Sequence, residues 1–244
     1  MTQHSFPGAG EKHRTTLSDT LVWPHTHKMK ILFQGDSVTD CGRPRAIPKD
    51  NGEAMGPGYP GLVKARLSCD NPNAGLEFLN FGISGNRVVD LYARWKIHCL
   101  NLRPDLVSVL IGVNDSWHEV AFDGPNGVEV PRYTRIYNEL LDWTMSVLPN
   151  VKFVLIEPFT LGDSENAMKF GGEVRERGAA VKAMAERLGP DRAAFVPMQS
   201  IFDEACRRAP WSTWSGDGVH PTPAGHQLIA DSWIAAASKF ITNP

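Results

Sequence analysis

No stretch of this chain approaches the roughly 20 consecutive apolar residues needed to cross a bilayer. Nor do the first 28 residues hold an apolar core followed by a small-residue cleavage site, so the expectation is a soluble protein kept in the cytoplasm, with no membrane as partner. Charge of either sign is not in excess: 25 basic against 27 acidic side chains leave a formal net charge of -2, which argues against nucleic acid as the main partner. Cysteine is scarce and scattered, at Cys41, Cys69, Cys99 and Cys206, with no C-x-x-C pair. That spacing argues against both a disulfide framework and a thiolate zinc site and predicts reduced thiols, most of them small core residues. His25 and His27 form an H-x-H pair without an acidic or cysteine partner nearby, so they read as part of a polar arm and no metal is expected. Internal repeats and low-complexity tracts are also missing.

What is present is the composition of one large globular domain: 244 residues, 42% hydrophobic and 21% charged. Residues 1–28 mix Gly, Pro, His and Thr without apolar periodicity and are expected to form an N-terminal arm, leaving 29–244 as a single domain. Within it, short apolar runs alternate with helical patterns. Strands are expected at Ile31–Gln34, Leu76–Ile83, Asp105–Gly112, Val151–Pro158 and Ala193–Pro197. Helices are expected over Tyr59–Leu67, Val88–Leu102, Tyr133–Leu148, Glu165–Leu188 and Ile201–Arg208, and from Thr222, an N-cap followed by Pro223 at the first helical position. Strands alternating with helices imply an α/β fold, a parallel sheet covered on both faces by right-handed crossovers, whose strand order the pattern does not specify.

Three of the strands run into polar turns: Gly35-Asp36-Ser37, Ser84-Gly85-Asn86 and Gly112-Val113-Asn114-Asp115. Ligands of such sheets bind beyond the carboxyl ends of the strands, so all three turns face one crevice. Ser37 is the candidate nucleophile. A serine hydroxyl needs a base, and the base needs a carboxylate to fix its tautomer; near the C-terminus Asp217-Gly218-Val219-His220 offers both on one loop, in the chain order Ser, Asp, His. The G-x-S-x-G elbow of the α/β-hydrolases is absent. Acyl transfer also needs oxyanion donors, for which the Gly85 N–H, the Asn114 side-chain amide and the Ser37 N–H are candidates. Trp117 and Trp214, in the site loops, are candidate faces for a sugar ring, and Asp36 beside the serine is a further candidate substrate contact. Trp95, Trp143 and Trp233 lie within helices and read as core. Arg43 and Arg94 read as loop braces, and His226, inside the last helix, as structural.

Those four blocks, in order, resemble the SGNH (GDSL) hydrolases, a family of esterases and lipases, over roughly residues 29–240. The resemblance implies a flavodoxin-like three-layer α/β/α sandwich with a central parallel sheet. It also implies Ser37 as nucleophile, His220 as base with Asp217 as its partner, and an oxyanion hole of the Ser37 amide, Gly85 and Asn114. A narrower likeness, through Asp36-Ser37-Val38-Thr39-Asp40-Cys41-Gly42-Arg43, Ala93-Arg94-Trp95, Asn114-Asp115-Ser116-Trp117 and Ala224-Gly225-His226, is to intracellular acetyl-xylooligosaccharide esterases. The expected activity is therefore that of a cofactor-free serine esterase acting through an acyl-enzyme on a small acylated carbohydrate. A lipase, lysophospholipase or thioesterase on the same machinery is the alternative, and a non-catalytic flavodoxin-like binding module is the third reading. Loop aromatics leave room for a homo-oligomer, which nothing in the sequence demands.

Overall fold

The structure, a computed structural model, describes residues 28–45, 52–121 and 124–241. Five strands, β1 (Lys30–Gly35), β2 (Glu77–Asn80), β3 (Leu106–Leu110), β4 (Lys152–Ile156) and β5 (Ala193–Val196), form one sheet in the order β2-β1-β3-β4-β5. Every pairing is parallel. The strand order reverses direction between β1 and β3, so the crevice at their carboxyl ends is the switch point where doubly wound sheets bind ligands.

Strand side chains alternate between two cores, as a period of two requires. Leu32, Val107, Val109, Phe153 and Leu155 face a cluster built with α3 (Val88–His98), α5 (Val130–Val147) and α6 (Glu165–Leu188), through Leu91, Trp95, Tyr137, Leu140 and Val181. Ile31, Phe33, Leu106, Val154 and Ile156 face the opposite cluster with α2 (Tyr59–Asp70), α7 (Met198–Arg208) and α8 (Pro223–Ile241), through Val63, Phe202, Ile229 and Trp233. Helices thus cover both faces, giving three layers. Trp95 and Trp233 are fully buried, and each indole N–H donates to a hydroxyl inside the core, Thr144 Oγ1 and Ser108 Oγ respectively. Trp143 packs half-buried at the edge of the first cluster.

Two short helices lie at the switch point: α1 (Ser37–Asp40), directly after β1, and α4 (Val113–Val120), directly after β3. The second replaces part of what reads in sequence as a turn followed by a long loop. Its buried residues are Val113, Asn114, Asp115 and Ser116; Val113 and Trp117 recur at helical spacing and pack with Phe170, but a repeat of one turn beside three buried polar residues is too short to separate a helix from a turn. The helix expected over 88–102 ends at His98, and its last turn is a separate 3-10 turn, Leu100–Leu102. The thiols are free, as expected, but only Cys99 is buried; Cys69 is exposed on α2, and Cys41 and Cys206 are partly exposed, so the expectation of mostly core cysteines is corrected. His25 and His27 lie outside the described residues, as does all but the last residue of the expected arm.

Candidate active site

Ser37 is the first residue of α1. Asp36 caps that helix, its Oδ1 accepting the Val38 N–H at 3.0 Å. The chain therefore turns sharply out of the sheet, with the serine hydroxyl at the tip. Ser37 Oγ lies 2.9 Å from His220 Nε2, and His220 Nδ1 lies 2.7 Å from Asp217 Oδ2. With its carboxylate on Nδ1, the neutral imidazole carries its proton there and presents Nε2 as an acceptor toward the serine hydroxyl.

Asp217 also shapes its own loop. Its Oδ1 accepts the backbone N–H groups of Val219 at 2.9 Å and His220 at 2.7 Å. Desolvation pushes its pKa up, but these hydrogen bonds and the His220 ring outweigh it and hold the carboxyl below its ordinary value. The loop is fastened by Ser215 Oγ donating to the His220 carbonyl, by Asn166 Nδ2 donating to the Asp217 carbonyl and by Leu161 N–H donating to the Gly218 carbonyl. Gly218 has a φ of 86°, and a Cβ there would fall 1.9 Å from Ser164 Oγ, so the tight turn between acid and base accommodates only glycine.

On the other side of Ser37 stands the Ser84-Gly85-Asn86 turn. Gly85 adopts a φ of 81° facing open space, and among the described residues neither its N–H nor that of Ser37 donates to another group. Asn114, in the first turn of α4 and 6% exposed, donates one Nδ2 hydrogen to the Asn86 carbonyl at 3.1 Å, which orients its amide and leaves the second hydrogen available. Asp115 beside it accepts the Val88 N–H and so fastens the start of α3 to α4. Arg94 acts as the expected brace, donating to Asn86 Oδ1, Gln34 Oε1 and the Gly35 carbonyl; Arg43, buried, donates to the Gly82 carbonyl. His226 is structural in the same sense. Its Nδ1 accepts the Tyr59 N–H, its Nε2 lies 3.3 Å from Cys41 Sγ, and burial pushes its pKa down to about 4.

The three candidate substrate contacts sit in different settings. The Trp117 ring lies 5.6 Å from the His220 ring and 5.7 Å from Phe170, partly exposed at the rim of the site. The Trp214 indole is turned toward α7 instead, donating to the Ala205 and Ala209 carbonyls beneath the Arg208 guanidinium. Asp36 is 1% exposed and lies under the serine rather than beside a substrate. No group of three or more metal-ligating side chains occurs among the described residues.

A serine hydroxyl, an imidazole, a carboxylate and amide donors thus meet beyond the carboxyl ends of β1 and β3, brought together from opposite ends of the chain. A family model described as GDSL-like lipase/acylhydrolase matches residues 33–228. The chain belongs to that family. An acetylxylan esterase of Geobacillus stearothermophilus is 35% identical over 208 residues, which cover 84% of this chain and 92% of that protein. The crystal structure of Axe2, an acetylxylan esterase from the same organism, aligns with a TM-score of 0.75 at 33% identity, covering 85% of this chain and 93% of that one. A structure from Parabacteroides merdae assigned as a GDSL-like lipase aligns with the same TM-score at 40% identity, over 86% and 96% of the two chains. Family and relatives make this protein a carboxylic ester hydrolase. No described helix is long and apolar enough to cross a membrane.

Proposed function

We propose that the protein is a serine esterase that removes acetyl groups from acetylated xylo-oligosaccharides or similar short carbohydrates through an acyl-enzyme. The observation that carries the mechanism is the continuous hydrogen-bonded chain from Ser37 Oγ through His220 to Asp217. In the first half-reaction His220 Nε2 takes the proton of Ser37 as Oγ attacks the ester carbonyl. The oxyanion gathers the N–H groups of Ser37 and Gly85 and the free Asn114 amide hydrogen, and the departing sugar hydroxyl takes the proton back. Water then repeats the sequence on the acyl-serine and releases acetate. No step requires a cofactor.

The substrate class rests on the likeness, in sequence and in structure, to acetylxylan esterase of Geobacillus stearothermophilus and on Trp117, whose indole edges the site next to His220. Its test is deacetylation of acetylated xylo-oligosaccharides followed by NMR, alongside a chain-length series of p-nitrophenyl esters. Highest kcat/KM on acetyl esters and loss of O-acetyl resonances from the oligosaccharide are expected. A maximum at eight carbons or longer would favour a lipase or lysophospholipase, and preference for thioesters a thioesterase.

Asn114 provides a sharper test of the hole. Asn114→Ala is expected to lower kcat by roughly 10² to 10³, the usual consequence of deleting one oxyanion donor, with KM changed far less. Equal losses in binding and turnover would point to a role in substrate docking instead.

A further inference from the structure

We propose that Asp40 is a positioning residue for the oxyanion hole, fixing the Gly85 N–H at a set offset from the Ser37 hydroxyl. The inference rests on the serine-esterase reading and adds to it a residue that touches no reacting atom. Asp40 ends α1, the four-residue helix that Ser37 begins, and its N–H donates to the Asp36 carbonyl at 2.8 Å, so its backbone and that of Ser37 move as one unit. Its side chain is 5% exposed. Oδ2 accepts both donors of Ser84, the N–H at 3.0 Å and the hydroxyl at 2.8 Å, and in addition an Nη2–H of Arg45. Ser84 is the residue before Gly85. One carboxylate therefore joins the end of the nucleophile helix to the start of the oxyanion turn, 44 residues apart in sequence.

The far side of the same turn is held separately. Asn86, the residue after Gly85, has its side-chain oxygen fixed by Arg94 Nε at 2.8 Å and its carbonyl by Asn114 at 3.1 Å. Gly85 is thus suspended between an anion acting on one neighbour and a cation acting on the other, while its own N–H is left for substrate. Little slack exists between α1 and the loop that carries the turn: a Cβ on Gly82 would stand 2.5 Å from the Asp40 nitrogen. A carboxylate suits this place better than an amide. Its Oδ2 receives three hydrogens from two segments, and its Oδ1, which accepts none, faces the buried Arg43 Nε at 3.8 Å; an asparagine oxygen could take the Oδ2 place only by setting an NH2 against that guanidinium and giving up the negative charge between two arginines. Misplacement of a transition-state donor by about 1 Å can cost on the order of 100-fold in rate without touching substrate affinity.

The test measures kcat and KM on p-nitrophenyl acetate per active site, with competent sites counted by a fluorophosphonate that labels serine. Asp40→Asn is expected to keep KM within about threefold while kcat per labelled site falls by roughly 10- to 100-fold. Ser84→Ala, which removes only the hydroxyl bond, is expected to fall by a smaller factor in kcat alone. The double variant should be no slower than Asp40→Asn by more than about twofold, because both deletions break one link. An unchanged kcat per labelled site in Asp40→Asn, with any loss confined to the number of sites or to thermal stability, would show a merely structural carboxylate and overturn the proposal. If Asp40→Asn does not fold, Ser84→Ala decides by the same criterion. A wild-type protein that fails to label, or a Ser37→Ala variant that remains active, would instead overturn the esterase mechanism on which the proposal stands.

Discussion

Ser37→Ala is expected to lose roughly four to six orders of magnitude in kcat on p-nitrophenyl acetate, and His220→Ala about as much. Both changes remove one half of a single event, the transfer of the Ser37 proton to Nε2 across the 2.9 Å contact, so the double variant should be no slower than either single one. Asp217→Asn should behave differently in kind. The asparagine oxygen can replace Oδ1 as acceptor for the Val219 and His220 N–H groups, so the turn survives. Its NH2, however, would then face Nδ1 and favour the tautomer with the proton on Nε2, which no longer accepts from serine. A loss of roughly 10⁴ in kcat with native stability is the expected signature. Steady-state rates, circular dichroism and fluorophosphonate labelling on the same preparations separate the cases. A Ser37→Ala protein that turned over p-nitrophenyl acetate at the wild-type rate would remove the serine from the mechanism altogether.

Those residues could be read from the sequence because each is local. A strand end followed by Gly-Asp-Ser, or an aspartate three residues before a histidine ahead of a helix N-cap, is visible in a few consecutive positions, and the four blocks recur in order. The alternation of strands and helices was equally visible, since buried strands and amphipathic helices impose different periods on apolar residues. The strand order was not, because crossover lengths are compatible with several orders; the β1/β3 reversal emerges only from the pairing itself. Helix α4 escaped because it is only eight residues long and most of what it buries, Asn114, Asp115 and Ser116, is polar, so the Val113 and Trp117 repeat alone did not distinguish it from a turn. What the sequence conceals most fully is the layer behind the catalytic groups. Asp40 on Ser84, and Arg177 donating to Ser116 and the Val128 carbonyl, are charged side chains that would be assigned to solvent, and Arg94, read as a brace, gave no sign that Asn86 is what it holds. Burial is tolerable for them only because distant segments supply partners. Cys69 illustrates the converse, an apolar-type residue left outside on α2.

Asp36 carries the second large expectation, one of stability rather than turnover. Its carboxyl lies under Ser37 beside a cavity of about 10 Å³ lined by Val38, Leu110, Ile111, Val113, Pro158 and Phe159. Burial among these apolar groups pushes its pKa up to about 7, against the opposing effects of the Val38 N–H and of charge on His220. In the unfolded chain the same group titrates near its ordinary value of 3.8. Between those two values the folded state holds a proton that the unfolded state has released, so stability is complete in acid and declines as pH rises toward neutrality. A displacement from 3.8 to about 7 corresponds to about 4 kcal/mol lost across that window. Asp36→Asn keeps an oxygen for the Val38 N–H but has nothing to ionise, so its unfolding free energy should fall less steeply between pH 4 and 8 than that of the wild type. Asp115, raised to about 7 chiefly by burial, keeps part of the slope in that variant, and Asp115→Asn should remove a further share. Asp217, held below its ordinary value, works in the opposite direction and matters only in stronger acid, where its protonation withdraws stability. Urea titrations of wild type and Asp36→Asn at several pH values measure the difference. Parallel stability curves for the two proteins would mean that Asp36 is already ionised in the fold, with the turn supporting a buried negative charge beneath the nucleophile.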